Sequence, residues 1–338
     1  MMKPNSFYKA VLVLSILTFI IGFSAGSALA EKLKLSVAGA GVGKSSYIQA
    51  AALADYVSSK SDKLALTAQT TRGFVHNARL VNSGETELGF SSTTIIYPAL
   101  QGVEKFKKDG KLTNLRGVTY AGVSVHYWVT LKGKGIKSIK DFEGKRINMG
   151  TPGSNTKYIA EVTLKSYGIL DKVHKSSLNT PGSSQALLDG KIDAWCIAGH
   201  PPSSSVIEIF SSQKGAIILG IDDYMFDALL KKYKPFERSV LPATTYAGLT
   251  KDVPVIGYIS FLLAHKDVPD SAVYEVLQRI STPEAKKRLM SVSPKWEALK
   301  APDLPKLKGM SQIGLKLHPG AEKYWREKGL KIPANIAN

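Results

Sequence analysis

Three short segments of the chain carry hydrogen-bond donors in patterns suited to holding an anion. The first, Ala38-Gly39-Ala40-Gly41-Val42-Gly43-Lys44-Ser45, follows an apolar run and precedes an amphipathic one. A glycine-rich turn that feeds a helix start exposes backbone N–H groups at the positive end of the helix dipole. Lys44, Ser45, Ser46 and Tyr47 stand at that turn. The second segment, Thr151-Pro152-Gly153-Ser154-Asn155-Thr156, has the same placement. Gly153 admits close backbone approach, and Ser154, Asn155 and Thr156 can cap a helix or meet a bound oxygen. In the third, Thr71-Arg72-Gly73, the guanidinium can grip a carboxylate through two parallel bonds, worth about 1.5–3 kcal/mol. A carboxylate suits these donors as well as a phosphate does. A plain tight turn, a plain cap and a solvent-facing Arg72 are the readings without a ligand, and the segments alone leave them open.

The first segment also resembles a nucleotide-binding loop. The strict pattern requires glycine where Ala38 stands, and no apolar strand ending in aspartate supplies a magnesium partner, so ATP chemistry is not expected. The six histidines lack metal-ligand spacing and there is no Gly-x-Ser-x-Gly elbow. Cys196, inside Trp195-Cys196-Ile197-Ala198, reads as a buried inert thiol. No catalytic residue, cofactor or metal is therefore expected, and the chain reads as a non-enzyme. The formal charge of +18 is spread along the chain without an arginine-rich arm. That speaks against nucleic acid and for attraction of small anions.

These loops need a frame, and the chain supplies one by alternating strand-length apolar runs with amphipathic stretches, the pattern of an α/β fold. Residues 1–30 read as a secretory leader: Lys3 and Lys9, an apolar run Ala10 to Phe23, and small residues ending at Ala30. Cleavage after Ala30 would place a protein of net charge +16, not itself membrane-spanning, in the periplasm. Lys34 to Ala38, Leu64 to Gln69 and Leu88 to Ser92 read as strands, each leading into a helix. Leu115 to Tyr120 and Val125 to Leu131 read as two successive strands by which the chain leaves one sheet and enters another, and Ile256 to Ala264 as the return. Two α/β lobes joined by a hinge follow: 31–123 with 261–338, and 124–260.

Several segments resemble the TAXI family of TRAP-transporter solute receptors: Ile139-Lys140-Asp141-Phe142-Glu143-Gly144-Lys145-Arg146, then Gly150-Thr151-Pro152-Gly153-Ser154, Asp189-Gly190-Lys191-Ile192-Asp193-Ala194, and Leu317-His318-Pro319-Gly320-Ala321 before Tyr324. The resemblance implies a type II periplasmic-binding-protein fold, with crossing strands at the hinge and a cleft between the lobes. It implies an extracytoplasmic receptor that delivers a small carboxylate (a dicarboxylate, a 2-oxoacid or an acidic amino acid) to an ion-gradient-driven TRAP permease. By position it points to Ser45, Ser46 and Tyr47, to Thr71, Arg72 and Asn77, to Ser92, Thr93 and Tyr97, and to Thr151 through Thr156, with His200 as a further candidate. The first loop departs from the family in having one aromatic and Lys44, and Arg72 stands where a small residue is common. Both departures add positive charge, as a ligand more anionic than an amino acid would require. The alternative is a solute receptor of the NMT1-like or ABC-transporter type.

Overall fold

Branched and aromatic runs become strands here, and serine, asparagine and glycine punctuate them into helix starts. The computed structural model describes residues 31–296 and 305–338, so the expected leader lies outside the described residues. The first part runs β1 (Leu33–Ala38), α1 (Ser45–Lys60), β2 (Leu64–Gln69), α2 (Phe74–Ser83), β3 (Leu88–Ser92) and α3 (Thr93–Gln101), then the long β4 (Leu115–Leu131). The middle part contains β5 (Arg146–Asn148), α4 (Asn155–Ser166), β6 (His174–Ser176), α5 (Thr180–Leu188), β7 (Ala194–Gly199), α6 (Ser204–Ser211), β8 (Ala216–Leu219), α7 (Asp223–Lys232) and β9 (Glu237–Leu241). The second long strand, β10 (Val253–His265), returns to the first part and is followed by α8 (Asp270–Ile280), α9 (Pro283–Val292), α10 (Pro305–Ile313) and α11 (Pro319–Glu327).

All ten strands join one sheet, in the order β2-β1-β3-β10-β4-β7-β5-β6, with β8 against β4 and β9 against β10. The order repeats itself. Around β10 it reads β2-β1-β3-β10-β4, and around β4 it reads β6-β5-β7-β4-β8, with the inserted long strand antiparallel to the strand before it in both. This is the α/β, type II periplasmic-binding-protein architecture anticipated from the sequence.

One expectation is corrected. Leu115 to Tyr120 and Val125 to Leu131 are not two strands but the ends of a single 17-residue strand. Pairing with β10 continues through the join, where the register slips between Ser260↔Gly122 and Phe261↔Tyr120 and leaves Ala121 as the extra residue of a bulge. Gly122 sits there at φ 111°, a conformation open to glycine, so the strand bends without ending. The chain therefore stays in one sheet, and residues 34–338 form one compact unit.

Three of the four segments that carried the family resemblance turn out to be framework, the exception being Gly150 to Ser154. Asp193 accepts from the Arg146 guanidinium at 2.8 and 3.0 Å, from the Arg146 amide at 3.0 Å and from Lys134 at 3.1 Å. Arg146 thus holds the Asp193 carboxyl well below the usual carboxylate range and ties the start of β5 to that of β7. Ser138 and Asp141 form a capping box, which leaves Phe142 buried edge-on against Trp128 at 5.1 Å. The fully buried His318 caps α11 by accepting from the Gly320 amide at 3.2 Å.

Candidate functional site

A cavity of about 610 Å³ lies where the first part of the chain meets the middle part. Its walls are helix starts. The Gly41-to-Lys44 turn closes with Lys44 N donating to the Gly41 carbonyl at 3.1 Å, and Gly39 lets the loop fold back so tightly that a Cβ there would lie 2.9 Å from Tyr47 Cα. Ser45 and Ser46 then open α1, which has no side-chain cap. Gly73 starts α2 at φ 111°, again without a side-chain cap. Across the cavity, Ser154 caps α4 by accepting from Lys157 N, and Asn179 caps α5 by accepting from Gly182 N. The first residues of all four helices line the cavity. Four positive dipole ends, two of them without a side-chain cap, make a site for negative charge.

The side chains add to that field. Lys44, Arg72 and Lys295 line the cavity, and among the described residues no aspartate or glutamate lines it. Lys44 reaches across to donate to the Thr180 hydroxyl at the start of α5, and burial lowers its pKa. Arg72 is exposed at the rim, its guanidinium 3.4 Å from His76 Nε2. Burial first, and the Arg72 charge next, lower the His76 pKa. Lys295 is only 4% exposed, its ammonium has no acceptor among the described residues, and burial lowers its pKa to about 8.

Nine of the sequence candidates meet at this cavity: Lys44, Ser45, Ser46, Thr71, Arg72, Thr151, Ser154, Asn155 and Thr156. The others do not line it. Gly153 packs beside Arg72, 3.2 Å from the Cβ position to the Arg72 Cβ, and its carbonyl accepts from Val75 N at 3.2 Å. Tyr47 is half-buried behind the loop, and Tyr97 packs against the core. Asn77 is fully buried and bonds the carbonyls of Gly39 and Phe90 at 2.7 and 2.8 Å and that of Ala38 at 3.2 Å. Ser92 pairs with the Thr94 hydroxyl, and Thr93 donates to the Pro235 carbonyl. His200 Nδ1 lies 3.1 Å from the Val123 carbonyl.

Sequence reasoning missed Tyr258 and Lys295, which carry no local signal, and Asn179-Thr180-Pro181, which does. Asparagine followed by proline at the first helical positions is a helix-start signature of the same rank as the two loops singled out above. Behind the cavity, Cys196 is fully buried, with Sγ 2.9 Å from His126 Nε2. Burial pushes the thiol pKa up and that of His126 down to about 3, so the pair is a neutral packed contact. Among the described residues no group of three or more His, Cys, Asp or Glu could hold a metal, and no helix is long and apolar enough to cross a membrane.

Contacts join the two sides of the cavity directly. Val75 N donates to Gly153 O at 3.2 Å, Thr94 Oγ1 to Asn155 Oδ1 at 2.8 Å, and the Tyr158 hydroxyl to Glu104 Oε2 at 2.5 Å. The walls therefore stand closed on one another.

Residues 37–329 match the model of the NMT1-like family. Among solved structures, the chain is similar to the alkanesulfonate-binding protein SsuA from Xanthomonas axonopodis pv. citri bound to MOPS: 15% identity, 88% of this chain and 84% of that one, TM-score 0.45. It is similar to the periplasmic aliphatic sulphonate binding protein SsuA from Escherichia coli at 13% identity, covering 90% and 94%, with TM-score 0.42. A protein from Bordetella bronchiseptica RB50 is 15% identical over 91% and 95% of the two chains, with TM-score 0.49.

Proposed function

Because the chain belongs to the NMT1-like family, we propose that it is an extracytoplasmic solute receptor, not an enzyme, which closes around a small acid and presents it to a membrane transporter. The observation that carries this reading is the cavity itself: three cations and four helix N-termini converge, with no carboxylate among the described residues that line it. Such a surface attracts and desolvates an anion with little reorganisation of its own.

The two lobes of the proposal are residues 31–123 with 261–338, and 124–260. Only β4 and β10 and the loops beside them cross between these parts, so opening would flex the two long strands near their bulges. A solute that touches Lys44 and Ser45 on one side and Thr156 and Thr180 on the other stabilises the closed form by its differential affinity. The transporter would read that form. The family match favours the NMT1-like, ABC-type alternative over a TRAP permease, which rests on the Ile139-to-Arg146 and Leu317-to-Ala321 segments. The permease gene that neighbours this one distinguishes the two.

Thermal denaturation of the protein lacking residues 1–30, stripped of ligand and screened against small acids, tests the reading. A cognate acid at about 100 times its Kd should stabilise by roughly 2.7 kcal/mol. Stabilisation by neutral or cationic solutes alone would count against it. Arg72→Ala, which removes the rim cation, is expected to weaken an acid about tenfold, equivalent to roughly 1.4 kcal/mol in calorimetric titration. An unchanged Kd removes Arg72 from the site.

A further inference from the structure

The cavity has a positive pole that the glycine-rich loop does not supply. Lys295 follows α9, and its stem lies against the β4 bulge: a Cβ on Gly122 would meet the Lys295 carbonyl at 3.4 Å and its Cβ and Cγ at 3.7 Å. Glycine there leaves room for the lysine stem; Lys295 lines the cavity, and its ammonium has no acceptor among the described residues. A buried charge in that condition is strongly unfavourable until a counter-charge arrives.

The neighbouring sheet face is polar as well. Ser124 and Tyr258 face each other across β4 and β10, and Ser260 faces Gly122, two residues along on the same face. Among the described residues Ser260 Oγ is buried without a partner, and the side chains of Asn155 and Ser124 turn to the Tyr258 hydroxyl. Each of these groups can donate. Asn155 and Tyr258 line the cavity together with Lys295, and an amide, a hydroxyl and an ammonium on one wall can all donate to a group that accepts.

Resting on the receptor reading above, the geometry points to a second anion subsite in the cavity floor, built by Lys295, Asn155 and Tyr258, which fits the receptor to a solute carrying two acidic groups and no ammonium group. One acid is held at the Gly41-to-Ser46 turn with Lys44, and the other meets Lys295. Lys44 donates to the Thr180 hydroxyl at the start of α5, whereas the Lys295 stem lies against the β4 bulge, so the two cations come from different walls. An α-ammonium on the same skeleton would enter a cavity lined by three cations and, among the described residues, by no carboxylate to face it, and the site would reject it by repulsion and desolvation.

The test titrates the protein lacking residues 1–30, as wild type and as Lys295→Met, with three sets of probes. These are straight-chain α,ω-dicarboxylates from malonate to adipate, the matching monocarboxylates, and aspartate and glutamate; the corresponding α,ω-disulfonates separate carboxylate from sulfonate as the acidic group. Wild type should bind one diacid at least 100-fold more tightly than its monoacid and its amino-acid counterpart. Lys295→Met should lose about 100-fold for the diacid and almost nothing for the monoacid, while melting no lower than wild type, because a partnerless buried charge has been removed. Equal diacid affinity in the variant overturns the subsite and leaves the receptor reading standing, as does preference for glutamate over glutarate. A wild-type protein that binds no acid of any set overturns both.

Discussion

Asn77→Ala is expected to lower the unfolding free energy by about 3 kcal/mol and to cost the protein its acid binding, although Asn77 does not line the cavity. Its amide ties together the carbonyls of Ala38 and Gly39 at the end of β1 and of Phe90 in β3, and its oxygen accepts from the Thr71 hydroxyl at 2.6 Å. Alanine strands three buried acceptors and one hydroxyl, at about 1 kcal/mol net for each bond and more where a group stays buried and unpaired. It also frees the two loops that carry Lys44 and Arg72, so affinity falls together with stability. Asn77→Asp should be worse than alanine despite its matching shape, because it turns a donor that faces carbonyl oxygens into a charged acceptor. Urea unfolding of the three proteins gives the order, and an aspartate variant as stable as wild type would contradict it.

Alkaline pH should move the stability of the free protein and its affinity for an acid in opposite directions. Burial holds the Lys295 pKa at about 8 in the folded state against 10.5 when exposed. Below about pH 8 both states carry the proton and the folded state bears the full penalty of the buried charge. Between about pH 8 and 10.5 the folded state binds fewer protons than the unfolded one, so stability rises with pH across that window. At about 1.4 kcal/mol per pH unit the gain is roughly 3 kcal/mol. Other groups titrate there too, so the quantity to measure is the difference in unfolding free energy between wild type and Lys295→Met, which should shrink by that amount from about pH 7 to about pH 10. An acid that needs the ammonium should meanwhile lose about tenfold in affinity for each pH unit above 8. Affinity that stays flat from about pH 7 to 9 would show that the bound acid does not meet Lys295.

The walls of the site were legible because their signals are local. Glycine-rich turns, serine and asparagine caps and the strand-to-helix alternation are written within a few residues, and the helix starts at Ser45, Phe74 and Asn155 lie at or beside those signals. What lies under the walls was not legible. Tyr258 and Lys295 arrive from segments far along the chain from the helix starts they join, and nothing beside either marks it as facing a cavity. The converse holds for polar residues next to the loops: Asn77, Ser92 and Thr93 have the chemistry of ligand contacts, yet they turn to neighbouring hydroxyls and carbonyls whose positions only the packed sheet defines. The unbroken β4 escaped for a related reason, since Gly122 reads as a stop in sequence and serves as a flexible join once β10 holds both ends.

The sealed position of Cys196 makes this protein convenient to turn into an optical sensor. It is the chain's only thiol and is shut away beside His126, while Val42 at the lip of the glycine-rich turn is 75% exposed. A cysteine engineered at Val42 would take a maleimide dye selectively with the native thiol left in place, and closure on a solute would change the polarity around the fluorophore.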